Sequence, residues 1–278
     1  IPQHAEHLNL VDTVKEKPYR LFNLDNFNYP IYSKNSLYGA IPIMISKNPY
    51  RGTFASVYWM NASETYIEIQ KHRDVSRTYW ISERGNLECY LFVNNSAQGL
   101  YKAMASVTGK ACMPQFFSLG YHQCRYSYET QQDALMVNEK FNELEIPCDS
   151  ITLDIDHTNE KRYFTWDKKA FPDPLAIQKI LMKDKRKLIT INDPHLKVDE
   201  NYHCYRVIKD SNNFIRDKDG KPYVQKCWPG ESIWIDFLKP EARDIWASFY
   251  HYENYDSSTP IMFAWNDMNE PSVFELPE

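Results

Sequence analysis

Ser150-Ile151-Thr152-Leu153-Asp154-Ile155-Asp156-His157 opens as a short apolar, β-branched run and closes on carboxylates and an imidazole. A run this short reads as a strand, Ser150 to Ile155, rather than a helix. Before it, Thr130 to Leu144 has helical spacing, with Ala134, Val137, Phe141 and Leu144 on one stripe. After it, Asp173-Pro174 supplies an N-cap and a proline at the first helical position, leading a helix that buries Ile177, Ile180 and Leu181. Leu188 to Ile191 is strand again. Further out, Phe116 to Tyr121 reads as a strand, Pro240 opens a helix burying Ile245, Trp246 and Phe249, and Pro260 to Trp265 is a fourth strand. The stretch 193–231 is polar and has no clear period. Strand–helix alternation of this kind predicts a parallel sheet. Four such strands are half of a (β/α)8 barrel, although a doubly wound open sheet fits the alternation equally well.

Residues 1–96 have a different period. Tyr66 to Gln70 alternates apolar with polar, while Arg77 to Ile81 and Cys89 to Val93 are aromatic and β-branched runs ended by Gly85 and by Asn94-Asn95. Ile41 to Ile45 adds another run, with Pro42 favouring a strand start or an edge. Runs of this length and spacing predict an antiparallel β-sandwich portion over 1–96. A helical linker over 97–115 follows, with Leu100, Met104 and Val107 on one face and Gly109 and Pro114 as stops. The half barrel then occupies 116–278, with an irregular excursion at 193–231.

Composition narrows the function. With 32 Lys and Arg against 37 Asp and Glu, the chain has no cationic field for a phosphate backbone, so no nucleic-acid partner is expected. Aromatic residues at 15% supply ample surface to bury, which excludes disorder. No run of 18 apolar residues exists, so no membrane span is expected. None of the six cysteines forms a Cys-x-x-Cys pair, and their low density does not suit a disulfide scaffold. Asn61-Ala62-Ser63 and Asn94-Asn95-Ser96 are N-glycosylation sequons, of consequence only in a secreted chain. Position 1 is Ile, with no signal segment before Pro2, and the chain stops at Phe274-Glu275-Leu276-Pro277-Glu278. It reads as a piece of something longer.

The strand ends point to chemistry. Leu153-Asp154-Ile155-Asp156-His157, Ile191-Asn192-Asp193-Pro194-His195 and Phe263-Ala264-Trp265-Asn266-Asp267-Met268-Asn269-Glu270 each run apolar and then meet acidic residues. In a parallel barrel the carboxyl ends of the strands converge on one face, so carboxylates from different strands can share a pocket. A single Asp after a strand is more often a cap or turn former. Three in succession, interleaved with Trp and His, favour a site. No dinucleotide, P-loop or Gly-x-Ser-x-Gly motif is present, and His157 and His195 lack the spacing of a metal-binding pair. Neither metal nor cofactor is therefore expected. Carboxylates with Trp, which stacks on apolar sugar faces, suit glycoside cleavage, in which one carboxylate attacks the anomeric carbon or activates water and a second protonates the leaving oxygen.

Trp265-Asn266-Asp267-Met268-Asn269-Glu270 resembles the signature of family 31 glycoside hydrolases. Tyr121-His122-Gln123-Cys124-Arg125, Lys161-Arg162-Tyr163-Phe164-Thr165-Trp166-Asp167, Asp193-Pro194-His195 and Cys227-Trp228-Pro229-Gly230 are similar to the family branch that holds glucosidase II and neutral α-glucosidase C. Ile1-Pro2-Gln3-His4-Ala5-Glu6 and Asn61-Ala62-Ser63-Glu64-Thr65 extend the likeness through the first half, so it covers nearly the whole chain.

The resemblance implies a galactose-mutarotase-like β-sandwich, then a (β/α)8 barrel, in a retaining exo-α-glucosidase. Its substrate would be an α-glucoside: glucosylated N-glycans, or α-glucans such as glycogen products. Asp267 matches the nucleophile. Asp154 matches the carboxylate that binds the terminal glucose, and Ile155, Ile191, Trp228, Trp265 and Met268 match the lining of that subsite. Asp156, His157, Asp193, His195 and Glu270 are supporting candidates. The acid/base carboxyl of the family lies downstream, beyond Glu278. This chain alone is therefore expected to be inactive, and a truncated, non-catalytic carbohydrate-binding product is the alternative. The resemblance also implies a possible non-catalytic glucosidase II β-subunit as partner and the endoplasmic reticulum lumen as location, with the cytoplasm as alternative. Asp156 where relatives carry Glu, Thr152 for a frequent Trp and Ala264 for a larger aliphatic depart from the pattern and bear on substrate preference.

Overall fold

The structure is a computed structural model that describes residues 1–275; Leu276, Pro277 and Glu278, at the end of the stretch that follows the signature, lie outside the described residues. The chain divides into two compact units, Ile1–Cys112 and Met113–Glu278.

The first unit holds β1 (Tyr19–Leu21), β2 (Ile43–Lys47), β3 (Phe54–Trp59), β4 (Thr65–His72), β5 (Val75–Ser82) and β6 (Cys89–Asn94). They form two antiparallel sheets, ordered β1-β4-β5 and β2-β3-β6. Period-2 alternation in β4 sends Thr65, Ile67 and Ile69 inward. There Ile67 and Ile69 pack with Tyr19 and Leu21, and Trp80 of β5 and Met44 of β2 close over them. The two sheets also meet where Trp59 Nε1 donates to Ser82 Oγ at 2.9 Å, with its ring 6.1 Å from that of Trp80. The expected sandwich is thus present, with β1 and β3 added to the strands read from sequence. Pro42 stands just ahead of β2, where its missing N–H costs no ladder bond.

Helix α1 (Ala97–Thr108) begins at Ser96, whose Oγ accepts from the Gly99 N–H, and ends at Gly109 with φ 82°. Leu100 and Met104 are buried, whereas Val107 is largely exposed. Because this buried face lies on β3 and β6, the helix belongs to the first unit. The 97–115 linker expectation is corrected accordingly.

The second unit contains β7 (His122–Arg125), α2 (Gln131–Glu143), β8 (Ser150–Leu153), α3 (Pro174–Lys183), β9 (Lys187–Ile191), β10 (His195–Lys197), α4 (His203–Asp210), β11 (Val224–Cys227), β12 (Gly230–Trp234), α5 (Pro240–Ser248) and β13 (Met262–Trp265). Strands β7, β8, β9 and β13 form one parallel sheet in the order β13-β9-β8-β7. Each new strand adds beside the previous one without reversal. A doubly wound sheet reverses at its switch point, so this order selects the barrel reading. Caps match the sequence. Thr130 and Asp133 form a reciprocal capping box on α2, and Asp173 Oδ1 accepts from Ala176 N–H at 2.9 Å ahead of Pro174 on α3. The core joins Ile151, Leu153, Ile177, Leu181, Leu188 and Phe249.

Three expectations need correction. Phe116–Leu119 is a turn of 3-10 helix, tightened by Gly120 N–H donating to Phe117 O at 3.1 Å, and the first barrel strand is the more polar His122–Arg125. An apolar run without alternation does not distinguish the two. The excursion at 193–231 is not irregular: it carries α4 and, continuing into β12, an antiparallel sheet ordered β10-β12-β11. Its strands are three to five residues long and mixed in polarity, which hides their period. Leu144 and Ile180, placed on buried stripes, are substantially exposed, while Asn138 and Gln178 are buried in their helices instead. Among the described residues no helix is long and apolar enough to cross a membrane.

Candidate active site

The register Leu153↔Thr190 and Trp265↔Ile191 sets the ends of β8, β9 and β13 side by side. Asp154 follows its strand directly and Asp193 and Asp267 stand one residue further on, so three carboxyls from three adjacent strands gather on the carboxyl edge of the sheet. Their proximity shows in their charges: Asp267 and Asp154 both raise the Asp193 carboxyl, and Asp267 raises that of Asp154.

Asp154 is half-buried. Its Oδ1 accepts from Ile155 N–H at 2.7 Å and caps a 3-10 turn over Ile155–His157. Burial pushes its carboxyl up, against that backbone bond. Asp267 is half-buried as well, and its backbone oxygen accepts from Asn269 Nδ2 at 2.7 Å. The next residue, Met268, has φ 58°, the left-handed region that side chains disfavour, yet its own side chain is buried with Cys227 and Trp234.

Asp193 is fully buried. Tyr163 Oη lies 2.5 Å from its Oδ2 and 3.0 Å from His195 Nε2, and the last two groups are 3.8 Å apart. Desolvation is the main reason that the Asp193 carboxyl rises to about 7 and the His195 imidazole falls to about 3.

The remaining candidates divide by burial. Ile155 and Ile191 are 3% and 2% exposed and belong to the hydrophobic core, so they present little free surface at the strand ends. Trp265 packs against that core from its edge. Trp228 is 36% exposed in the turn between β11 and β12; Lys161 Nζ sits 5.7 Å over its ring and Phe274 meets it edge-on at 4.8 Å. It is the open aromatic surface among these residues. Asp156 Oδ2 accepts from Ser127 N–H at 2.8 Å and so anchors the loop after β7. His157 is 0% exposed, with Nδ1 2.7 Å from Asp154 O, Nε2 3.3 Å from Tyr255 Oη and its ring edge-on to Trp166. Burial brings it down to about 4, and it orients the backbone that carries Asp154. Glu270 is half-buried and adds its charge to those acting on Asp193. Among the described residues no three His, Cys, Asp or Glu side chains converge to hold a metal.

Sequence reasoning did not single out Tyr163, Cys124 or Tyr250. Tyr163 bridges Asp193 and His195. Cys124, on β7, has its thiol pushed up by burial and by Asp154 and Asp267. Tyr250 Oη donates to Asn266 Oδ1 at 2.7 Å, beside Asp267. Tyr163 and Cys124 stand inside motifs quoted above, but no local pattern shows that they face carboxyls on other strands.

Comparison with known proteins agrees with this geometry. Residues 111–278 match the "Glycosyl hydrolases family 31 TIM-barrel domain" and residues 1–68 the "Glycosyl hydrolase 31 N-terminal galactose mutarotase-like domain". The whole chain is 42% identical to neutral alpha-glucosidase C of Macaca fascicularis, over 38% of that protein. It is 41% identical to the glucosidase 2 subunit alpha of Schizosaccharomyces pombe, over 31% of that protein. A crystal structure of an ER glucosidase II heterodimer, a catalytic subunit with the binding domain of the regulatory subunit, superposes with a TM-score of 0.93 at 39% identity, covering 98% of this chain and 32% of that one. The chain thus spans about a third of the length of the relatives it matches. With its sandwich, its parallel half barrel and the carboxyls at its strand ends, this chain belongs to glycosyl hydrolase family 31.

Proposed function

We propose that the chain carries the nucleophile side of a retaining exo-α-glucosidase site. The observation behind this reading is the meeting of Asp154, Asp193 and Asp267 at the carboxyl ends of three adjacent parallel strands. Asp267 attacks the anomeric carbon of a terminal α-linked glucose and forms a covalent glycosyl–enzyme intermediate, which water then hydrolyses. Asp154 accepts hydrogen bonds from the sugar hydroxyls, and the exposed face of Trp228 receives the apolar side of a sugar ring. Met268 and Trp265 flank the nucleophile. The general acid that protonates the leaving oxygen belongs to a segment downstream of Glu278, and the reaction needs no cofactor.

The names of the relatives support the finer reading. The substrate is an α-glucoside, and glucosylated N-glycans are the class we favour. The place of action is the endoplasmic reticulum lumen, beside a non-catalytic β-subunit, as in the heterodimer with which the chain superposes.

The test uses the longest polypeptide encoded by the gene. Asp267→Asn should abolish release of aglycone from an aryl α-glucoside while leaving the far-ultraviolet circular dichroism unchanged. An unimpaired rate in that variant sinks the assignment. Relative rates on glucosylated oligomannose and on maltose then decide the substrate class.

A further inference from the structure

Asp193 has a surrounding that its ionised form does not suit. The side chain is fully buried, and in its one hydrogen bond among the described residues Oδ2 accepts from the phenol of Tyr163. Oδ1 is buried and meets no donor there. A carboxylate left with one donor in a dry site carries a large desolvation cost. Its neighbours add to that cost. Asp154 at the end of β8, and Asp267 and Glu270 after β13, each repel a negative charge on Asp193. His195 of β10 is its ion-pair neighbour, but burial holds that imidazole neutral. Tyr163, in the loop after β8, is a phenol pushed well up by burial and by Asp193, with Cys227 of β11 adding to the shift. Tyr250, after α5, is raised in part by Asp193 as well. None of these groups supplies a cation.

We propose that Asp193 is a positioning residue of this site, working as an un-ionised carboxylic acid at the head of a relay through Tyr163 to His195, so that Asp154 and Asp267 carry charge beside it. The inference rests on the α-glucosidase reading above. The hydrogen positions follow from the un-ionised acid, whose Oδ2 has the Tyr163 oxygen as its acceptor. In that state Asp193 donates from Oδ2 across the 2.5 Å contact to the Tyr163 oxygen, the reverse of the bond its carboxylate accepts, and Tyr163 donates to His195 Nε2 at 3.0 Å. Every group in the relay is then neutral. The imidazole carries its proton on Nδ1, which is buried and meets no acceptor among the described residues, so one unpaired N–H stands in place of a buried ion, the smaller of the two costs. Loss of the Asp193 proton, near pH 7, would place a further anion against Asp154 and Asp267 and disturb both sugar binding and nucleophile position.

The experiment measures kcat/KM for an aryl α-glucoside against pH in the longest polypeptide, alongside infrared spectra of the same samples. The wild type should lose activity by about tenfold per pH unit above about 7, as the fraction of neutral Asp193 falls. It should also show a carboxylic-acid C=O band that fades over the same interval. Asp193→Asn should lose both the band and the alkaline fall. Tyr163→Phe removes the hydroxyl that turns to donate to Asp193 once it ionises, so band and fall should both move to higher pH. An absent band, or a Tyr163→Phe profile that superposes on the wild type, overturns the inference, and these two readouts decide it even where Asp193→Asn does not fold. Asp267→Asn separates the two claims. Activity in that variant removes the underlying reading, whereas inactivity with no carboxylic-acid band in the wild type removes this inference alone.

Discussion

Replacing Asp193 by Asn should steepen the loss of folding stability between about pH 6.5 and pH 4.5, and the amount follows from three buried groups. His157 and His195 are 0% exposed and stay neutral down to about 4 and about 3, whereas in the unfolded chain they titrate near 6.5. Below 6.5 the unfolded state therefore takes up two protons that the folded state refuses. Their contribution is complete above 6.5 and is lost as pH falls. Asp193 has the opposite sign. Its ordinary value of 3.8 rises to about 7 on folding, so the folded state keeps a proton that the unfolded state has released, and this contribution shrinks as pH rises. Across the window the three leave a net uptake of one proton on unfolding. At about 1.36 kcal/mol per proton and pH unit, the wild type should lose about 2.7 kcal/mol over two units. Asp193→Asn leaves both histidines unopposed, and the loss should be about 5.4 kcal/mol. Asp154, raised by burial, trims both slopes alike. The carboxyls of Asp199 and Glu64, held down by backbone or side-chain partners, act near and below their ordinary values of 3.8 and 4.5. Urea midpoints from tryptophan emission, taken through this interval, give both slopes. Equal slopes, or a shallower one in Asp193→Asn, would refute the reasoning.

Ile177 is wholly buried on α3, and Ile177→Ala should cost about 2–5 kcal/mol in the same urea titration, since its surroundings close only partly over the gap. Asp173→Ala removes the cap accepted from Ala176 and should cost about 1 kcal/mol, with Asp173→Asn restoring most of it. Arg186 is buried and donates to Asn138 O at 2.9 Å, Asn138 Oδ1 at 2.6 Å and Cys148 O at 3.1 Å. Arg186→Met strands these acceptors and should lower stability by about 3 kcal/mol or more, visible as a lower thermal midpoint.

The legible features were those written in local period and in punctuation. Alternation in Tyr66 to Gln70, the cap at Asp173-Pro174 and the apolar run before Asp154 each reappear in the structure at the expected residues. The excursion at 193–231 was illegible because its strands are short and draw their burial from one another: Leu196 is covered through pairing with Ile233, at a separation no window spans. Phe116 to Leu119 misled because apolar character alone does not state a period. The three carboxyls at the strand ends could be picked out from sequence, since each follows an apolar run. Tyr163 could not, because its importance lies in reaching residues 30 and 32 positions away. The same limit applies to Ile155 and Ile191, whose depth beneath the site emerges only once the strands are side by side.

Met268 answers to two demands that no ordinary residue meets together. Its backbone, at φ 58°, suits glycine and then asparagine, while the closed space beside Cys227 and Trp234 asks for a long apolar side chain. A saturation library at this position should therefore return very few survivors. Glycine relaxes the chain and empties the niche, asparagine tolerates the turn and buries an amide, and isoleucine fills the space while its branch at Cβ sharpens the backbone conflict. Tolerance to substitution would be narrower here than at most core positions of the barrel, although residue 268 itself need exchange no proton and form no bond to sugar.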